Sequence, residues 1–165
     1  MQLSEVNSPS TRKSFLEVPA SIYRNDPNWI RPLDNDINSI FDPEKNSLFK
    51  NGEAVRWILQ DASGKGIGRV AAFVNGNTAH TSEYATGGLG FFECINDQPA
   101  ANMLFDACKD WLSQRGMEAM DGHINFGDRQ SWWGLQTEGF APPTYSMNYN
   151  PAYYIPLFEN YGFQT

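Results

Sequence analysis

Residues 89–116, Leu-Gly-Phe-Phe-Glu-Cys-Ile-Asn-Asp-Gln-Pro-Ala-Ala-Asn-Met-Leu-Phe-Asp-Ala-Cys-Lys-Asp-Trp-Leu-Ser-Gln-Arg-Gly, read as a buried strand that turns directly into a capped helix. Asp97 is the expected N-cap, Pro99 falls in the first turn where its missing N–H costs nothing, and Gly116 closes the far end. Between them Ala100, Leu104, Ala107, Cys108, Trp111 and Leu112 recur at helical spacing, while Asn102, Asp106, Lys109, Asp110 and Ser113 take the polar face. A strand that ends on a helix N-terminus offers unpaired amides and the positive end of the helix dipole, a combination suited to a phosphate. Any fold for this chain must be built around that unit.

The neighbouring elements follow from turn chemistry. Residues 55–60 carry Val55, Trp57 and Leu59 in alternation, and residues 67–75 are rich in β-branched and aromatic side chains, so both are expected strands. The Asp61-Ala-Ser-Gly-Lys-Gly66 cluster between them predicts an antiparallel hairpin. Asn75-Gly-Asn77 gives a second turn, followed by a strand or loop through Tyr84, and Gly87, Gly88 and Gly90 fit a bulge or a close backbone approach. Residues 117–123 predict one more strand. With a helix intervening, strands 89–95 and 117–123 are expected to run parallel.

The flanks are less regular. Residues 1–14 are polar and read as a mobile arm, residues 15–23 as a weakly amphipathic helix interrupted at Pro19, and residues 34–41 as a second short helix. Towards the other end the pattern predicts a short helix over 128–138 closed by Gly139, a strand at 144–148, and a last helix over 151–161 with Gly162 beyond it. Residues 15–165 are expected to form one domain.

Composition narrows the function classes. A net charge of −7 without a clustered Lys/Arg surface argues against nucleic acid. No apolar run is long enough to span a bilayer, and the start lacks a charged-then-apolar signal pattern, so a soluble cytoplasmic protein is expected. Cys94 and Cys108 lack the spacing of a redox pair or zinc site and read as small core residues. No metal site and no Ser/His/Asp set stands out.

Taken together, the two early helices, the hairpin, the strand feeding a helix, the parallel strand and the terminal helix ending in Gly-Phe resemble the GCN5-related N-acetyltransferase superfamily. The most specific pieces are Gly90-Phe-Phe-Glu-Cys94 with its following helix, Gly122-His-Ile-Asn-Phe126 after the second parallel strand, and the closing residues 150–163. The resemblance is to a divergent bacterial branch. It implies an α/β (α+β) fold with a mixed central sheet and helices on both faces, and transfer of an acyl group from acetyl-CoA or another acyl-CoA to a small-molecule amine. In that superfamily the parallel strands splay apart, pantetheine enters the gap, and the diphosphate rests on the amides that open the central helix. Gly64-Lys-Gly-Ile-Gly-Arg69 looks like the acyl-CoA loop too, but Val70-Ala-Ala-Phe-Val74 is too short and too β-branched to be the helix such a loop needs.

Carried over residue by residue, the resemblance implies a cofactor seat at Phe92, Glu93, Cys94, Asn96, Asp97 and Gln98, continued by Ala100 and Ala101. Pro99 stands where the family has glycine, which removes an amide, and Asp97 adds a negative charge beside the diphosphate position. Glu93 is a candidate base, His123 a candidate base or substrate ligand, and Asn125 the candidate polar contact in the cleft. The family's tyrosine acid falls on Phe158, so Tyr154, one helical turn earlier, is the candidate acid, with Tyr161 as the alternative. Trp132 and Tyr145 are candidate substrate contacts within an aromatic-rich final third. The superfamily continues into a further strand beyond Thr165, which implies either a shortened chain or a strand supplied by a partner copy in a homodimer. The departures at Pro99 and Phe158 also support a competing reading, a domain that keeps the fold as a small-ligand or protein-binding module.

Overall fold

In the computed structural model, which describes residues 1–127, 134–144 and 147–164, the chain opens with strand β1 (Gln2–Glu5) and helix α1 (Pro9–Ile22). Residues 1–14 are therefore not an arm: β1 pairs antiparallel along residues 57–60, and α1 starts within the same segment. Short polar residues made this stretch look mobile, yet they build the helix start. Ser8 caps α1 by accepting from Thr11 N, and the Thr11 hydroxyl returns the contact by accepting from Ser8 N.

Pro19 does not interrupt α1. Its ring nitrogen cannot donate to the Phe15 carbonyl one turn back, and the guanidinium of Arg69 donates to that carbonyl instead, Nη1 to O at 3.0 Å. Helix α2 (Asp34–Ile40) follows, then a single 3-10 turn at Ser47–Lys50.

Strands β2 (Gly52–Gln60), β3 (Gly66–Asn75) and β4 (Thr86–Cys94) form an antiparallel meander, and helix α3 (Gln98–Ser113) carries the chain across to β5 (Ala119–Gly122), which runs parallel to β4. The sheet order is β1-β2-β3-β4-β5. Residues 76–84 form turns rather than a strand. Helix α4 (Tyr154–Tyr161) is the last element, and Pro156 sits in its first turn, where no intrahelical donor is needed. Of the expected 128–138 helix, residues 128–133 lie outside the described residues and 134–138 are not helical; of the 144–148 strand, 145–146 lie outside and the rest is irregular.

Two apolar layers sandwich the sheet. On one face Phe15, Ile37, Ile58, Ala71 and Phe91 pack under α1 and α2. On the other, α3 and α4 bury Leu104, Phe105, Cys108, Leu157 and Phe158 against Leu89, Phe92 and their neighbours. Phe105 lies at the centre of the second layer, stacked on Phe92 at 4.8 Å and meeting Phe158 edge-on at 4.8 Å.

The functional end of β4 is shaped by a bulge. Arg69 pairs with Glu93 and Ala71 with Gly90, so one β3 residue faces two on β4, and Phe91 takes a φ of +51° there. A positive φ in a non-glycine residue stores about 1–3 kcal/mol of strain and persists only where the surroundings hold it. Gly90 belongs to the same device, since a Cβ there would collide with the Ile124 carbonyl and the Asn125 side chain.

Phe105 is fully buried among four other aromatic rings. Phe105→Ala is therefore expected to lower folding stability by about 3–5 kcal/mol, read as a fall in the urea midpoint with the slope of the transition unchanged.

Candidate functional site

Parallel pairing of β4 with β5 runs only from Thr86↔Ala119 to Leu89↔Gly122, and one further amide, Ile124 N, reaches Leu89 O at 2.9 Å. Beyond that point β4 continues to Cys94 with β3 along its other edge, and the chain from β5 turns away. A strand edge left without a neighbour needs other partners for its amides.

Side chains supply them. Asn125 Oδ1 accepts from Phe91 N at 2.9 Å, His123 Nε2 accepts from Phe92 N at 3.0 Å, and the Tyr154 hydroxyl accepts from Cys94 N at 3.0 Å. Tyr153 completes the set by donating its hydroxyl to Cys94 O at 2.7 Å. Three residues singled out from the sequence, His123, Asn125 and Tyr154, are thus brought together on one strand edge.

The Tyr154 hydroxyl also donates to Glu93 Oε2 at 2.7 Å. Glu93 lies on the α1 side of the sheet, 5% exposed, with Arg69 Nη2 3.7 Å from its Oε1 and the Tyr23 hydroxyl as a further hydrogen-bond partner. Burial raises the Glu93 carboxyl above its ordinary range, against the opposing pull of Arg69 and the tyrosine hydroxyls. Burial and the neighbouring carboxylate likewise push the Tyr154 phenol well above 10.0, so it keeps its proton and donates it. The result is a buried acid–phenol couple at the end of β4.

His123 has a different chemistry. Burial first, and Arg69 second, lower its pKa from 6.5 to about 3, so the ring is neutral. Since Nε2 accepts from Phe92 N, the ring proton belongs on Nδ1, and the basic lone pair is engaged by the backbone. As placed, His123 orders the strand edge. The thiols are inert for a related reason: burial lifts Cys94 to about 12 and Cys108 well above 9.0.

The helix opening is equally engaged. Asp97 caps α3 by accepting from Ala100 N at 2.8 Å, and Pro99 has no amide to offer. Gln98 donates to Asn102 Oδ1 and Leu157 O and accepts from Asn160, tying α3 to α4. Ala100 and Ala101 are buried in the core, and Asn96 is exposed. A diphosphate needs free amides and positive charge, and this helix start presents a carboxylate, a proline and a bridge to α4. The residues at the start of α3 do not fit the diphosphate of coenzyme A, and the β4 amides that would meet a pantetheine arm are bonded to side chains.

Trp132 and Tyr145 lie outside the described residues. Among these there is no group of three or more His, Cys, Asp or Glu side chains able to hold a metal ion, and no helix is long and apolar enough to cross a membrane. Sequence reasoning missed Arg69 and Tyr23. Arg69 could have been flagged as the one charge within the apolar run from Ile67 to Val74, whereas Tyr23 reaches Glu93 only through the tertiary fold.

The chain has the fold of GNAT acetyltransferases. It matches a predicted acetyltransferase with acetyl-CoA from Clostridium acetobutylicum at a TM-score of 0.56 and 14% identity, over 99% of this chain and 90% of that one. It matches a GNAT-family acetyltransferase from Staphylococcus aureus at 0.51 and 14% identity, over 74% and 72%. In sequence it is 32% identical over 160 residues to a bacterial ceramide synthase from Caulobacter vibrioides, covering 96% of this chain and 41% of that protein. Protein YghO from Escherichia coli is 31% identical over 157 residues, covering 92% and 38%. The chain therefore spans about two fifths of the length of these relatives. No protein-family model matches the sequence.

The buried histidine makes a pH signature. Its pKa is about 3 in the folded chain against an ordinary 6.5, so between those values the unfolded chain carries a proton that the folded chain does not. Its contribution to stability is fully present above about pH 6.5 and declines as the pH falls towards 3. His123→Gln keeps an acceptor for Phe92 N and cannot titrate. Urea midpoints measured from pH 7 to pH 4 should fall more steeply for the wild type than for this variant, with Glu93 common to both.

Proposed function

We propose that this chain is the acyltransferase-fold portion of an enzyme that forms an amide, with Glu93 as the base that takes the proton from the amine acceptor. The observation that carries this reading is the Glu93–Tyr154 couple: a carboxylate raised by burial, at the end of the splayed strand, in direct contact with a protonated phenol. The fold shared with acetyltransferases and the 32% identity to a protein named as a ceramide synthase support acyl transfer to an amine.

The balance of the step is simple. The neutral amine attacks the acyl carbon, a C–N bond forms, and the bond from the acyl carbon to its leaving group breaks with the electron pair going to that group. The amine proton passes to Glu93. Burial favours this role because a base with a raised pKa holds the proton better than an exposed carboxylate would. Arg69 keeps the carboxylate ionised and Tyr23 and Tyr154 fix its orientation.

No role is assigned to the start of α3 in holding the donor. Asp97 and Pro99 oppose a diphosphate there, so the acyl group is expected to be delivered without using that helix end.

Amide formation from an acyl thioester and a long-chain primary amine, followed by mass spectrometry, tests the proposal. Glu93→Gln is expected to reduce the rate at least about 100-fold in a chain that is still folded by its circular dichroism spectrum, though less stable because Arg69 loses its buried partner. The wild-type rate should rise with pH through a value above 4.5, because the catalytic form is the carboxylate. Undiminished amide formation in Glu93→Gln would overturn the assignment.

A further inference from the structure

Tyr23, the C-cap of α1, is 4% exposed and brings its hydroxyl to the Glu93 carboxyl from the α1 side of the sheet. The segment that follows α1 supplies the contacts that hold its ring. Trp29 lies flat on that ring, with centroids 4.9 Å apart and an interplanar angle of 9°. Tyr149 meets the same ring tilted, at 6.0 Å and 46°. Nothing in the acyl-transfer reading uses Trp29, which is itself partly buried.

Asp26 is what folds the chain back. Pro27 and Pro32 keep residues 24–33 out of helix and strand. Asp26 N donates to Tyr23 O at 2.9 Å, and its Oδ1 accepts from Asn28 N at 2.9 Å, an Asx turn that returns the chain over Tyr23 by the time it reaches Trp29. The other carboxylate oxygen, Oδ2, accepts from the Tyr149 hydroxyl at 2.6 Å, which ties the turn to the segment before α4. Burial first, and Asp26 second, push the Tyr149 phenol up to about 12, so it keeps the proton that this bond needs. Further along, Arg31 bonds Glu17 of α1 and Asp34, which fixes the far end of the segment to the same helix.

We propose that Trp29 is a positioning residue for Glu93: stacked on Tyr23, it keeps the Tyr23 hydroxyl on the carboxyl and water away from it, while the Asp26–Tyr149 bond keeps Trp29 in place. This rests on the amide-forming reading above and adds to it a residue that acts through another. The groups that face Glu93 are Arg69 of β3, Tyr23 of α1, Tyr153 and Tyr154 at the start of α4, and Cys94 beside it on β4. Burial is the largest influence on the carboxyl and raises it; Arg69, then Tyr154, then Tyr23 pull it down. Removing the Trp29 ring hydrates the carboxyl and loosens Tyr23, two changes of opposite sign. The loss of burial is the larger, so the carboxyl drops towards its ordinary 4.5.

Carboxyl-carbon NMR titration of the full chain, with the Glu93 signal assigned from Glu93→Gln, reads this directly and needs no acyl donor. In Trp29→Ala the Glu93 midpoint is expected to fall towards 4.5, and Trp29→Phe, which keeps a ring on Tyr23, to restore most of the wild-type value. Ile30→Ala, a change at the adjacent side chain that is 69% exposed, should leave the midpoint where it was. Tyr149→Phe removes only the hydroxyl that Asp26 holds and should move the midpoint the same way by less, which keeps the test open where Trp29→Ala does not fold. In the amide-forming assay Trp29→Ala should lower kcat about tenfold with KM little changed, and the midpoint of the rate–pH profile should fall with that of the carboxyl. An unmoved Glu93 midpoint in folded Trp29→Ala or Tyr149→Phe, no restoration by Trp29→Phe, or an equal shift in Ile30→Ala would overturn the proposal. The carboxyl titration involves no transfer step, so it fails independently of the Glu93 assignment: a midpoint that follows Trp29, together with undiminished transfer by Glu93→Gln, would overturn the catalytic reading alone.

Discussion

The buried guanidinium of Arg69 is the interaction on which the remaining architecture depends. It lies 3% exposed on β3, fills the carbonyl of Phe15 that Pro19 leaves without a donor, rests on the Phe15 ring at 4.7 Å and pairs with Glu93. One side chain thereby joins α1, β3 and β4. Burying a cation is costly unless its charge and its N–H groups are met, and here a carbonyl, a carboxylate and an aromatic face share the task. Removal of either charged partner would leave the other uncompensated in the interior, a change of about 3–5 kcal/mol in comparable buried pairs. The same contact explains how α1 passes through a proline without breaking and why Glu93 is held on the α1 side of the sheet.

A second consequence concerns the end of β4. In a parallel pair that parts company after four residues, the exposed amides must go to water, ligand or side chains. Here Asn125, His123 and Tyr154 take three of them, and Tyr153 takes the Cys94 carbonyl. These contacts are mostly buried and draw on two separate regions of the chain, the turn after β5 and the start of α4. The strand edge and α4 are therefore coupled, since releasing Cys94 N also disturbs the hydroxyl that steadies Glu93. Charge and hydrogen bonding at the site form one network rather than a set of independent residues.

Much of this was legible in the sequence, and the misses have physical causes. The strand-to-helix unit, with Asp97 as cap and Pro99 in the first turn, was readable because caps and prolines act locally. The β2–β3 hairpin was readable from its turn residues for the same reason. Residues 2–5 were not, since a short edge strand of polar residues gains its order from pairing with β2 and carries no internal period. Pro19 misled for a similar reason: the partner that rescues its helix lies 50 positions away on another element. At the site, Glu93, His123, Asn125 and Tyr154 could be nominated individually from position, but their joint use of the β4 edge could not. It depends on where β5 and α4 leave the sheet.

The start of α3 shows how stability and ligand binding compete for the same groups. A helix N-terminus has unpaired amides whichever way they are used. Asp97 satisfies one of them from within the chain, Pro99 eliminates another, and Gln98 links the turn to α4. An aspartate cap of this kind contributes about 1 kcal/mol to stability, and its negative charge is what makes the same turn a poor seat for a diphosphate. The fold thus closes this helix end with its own residues.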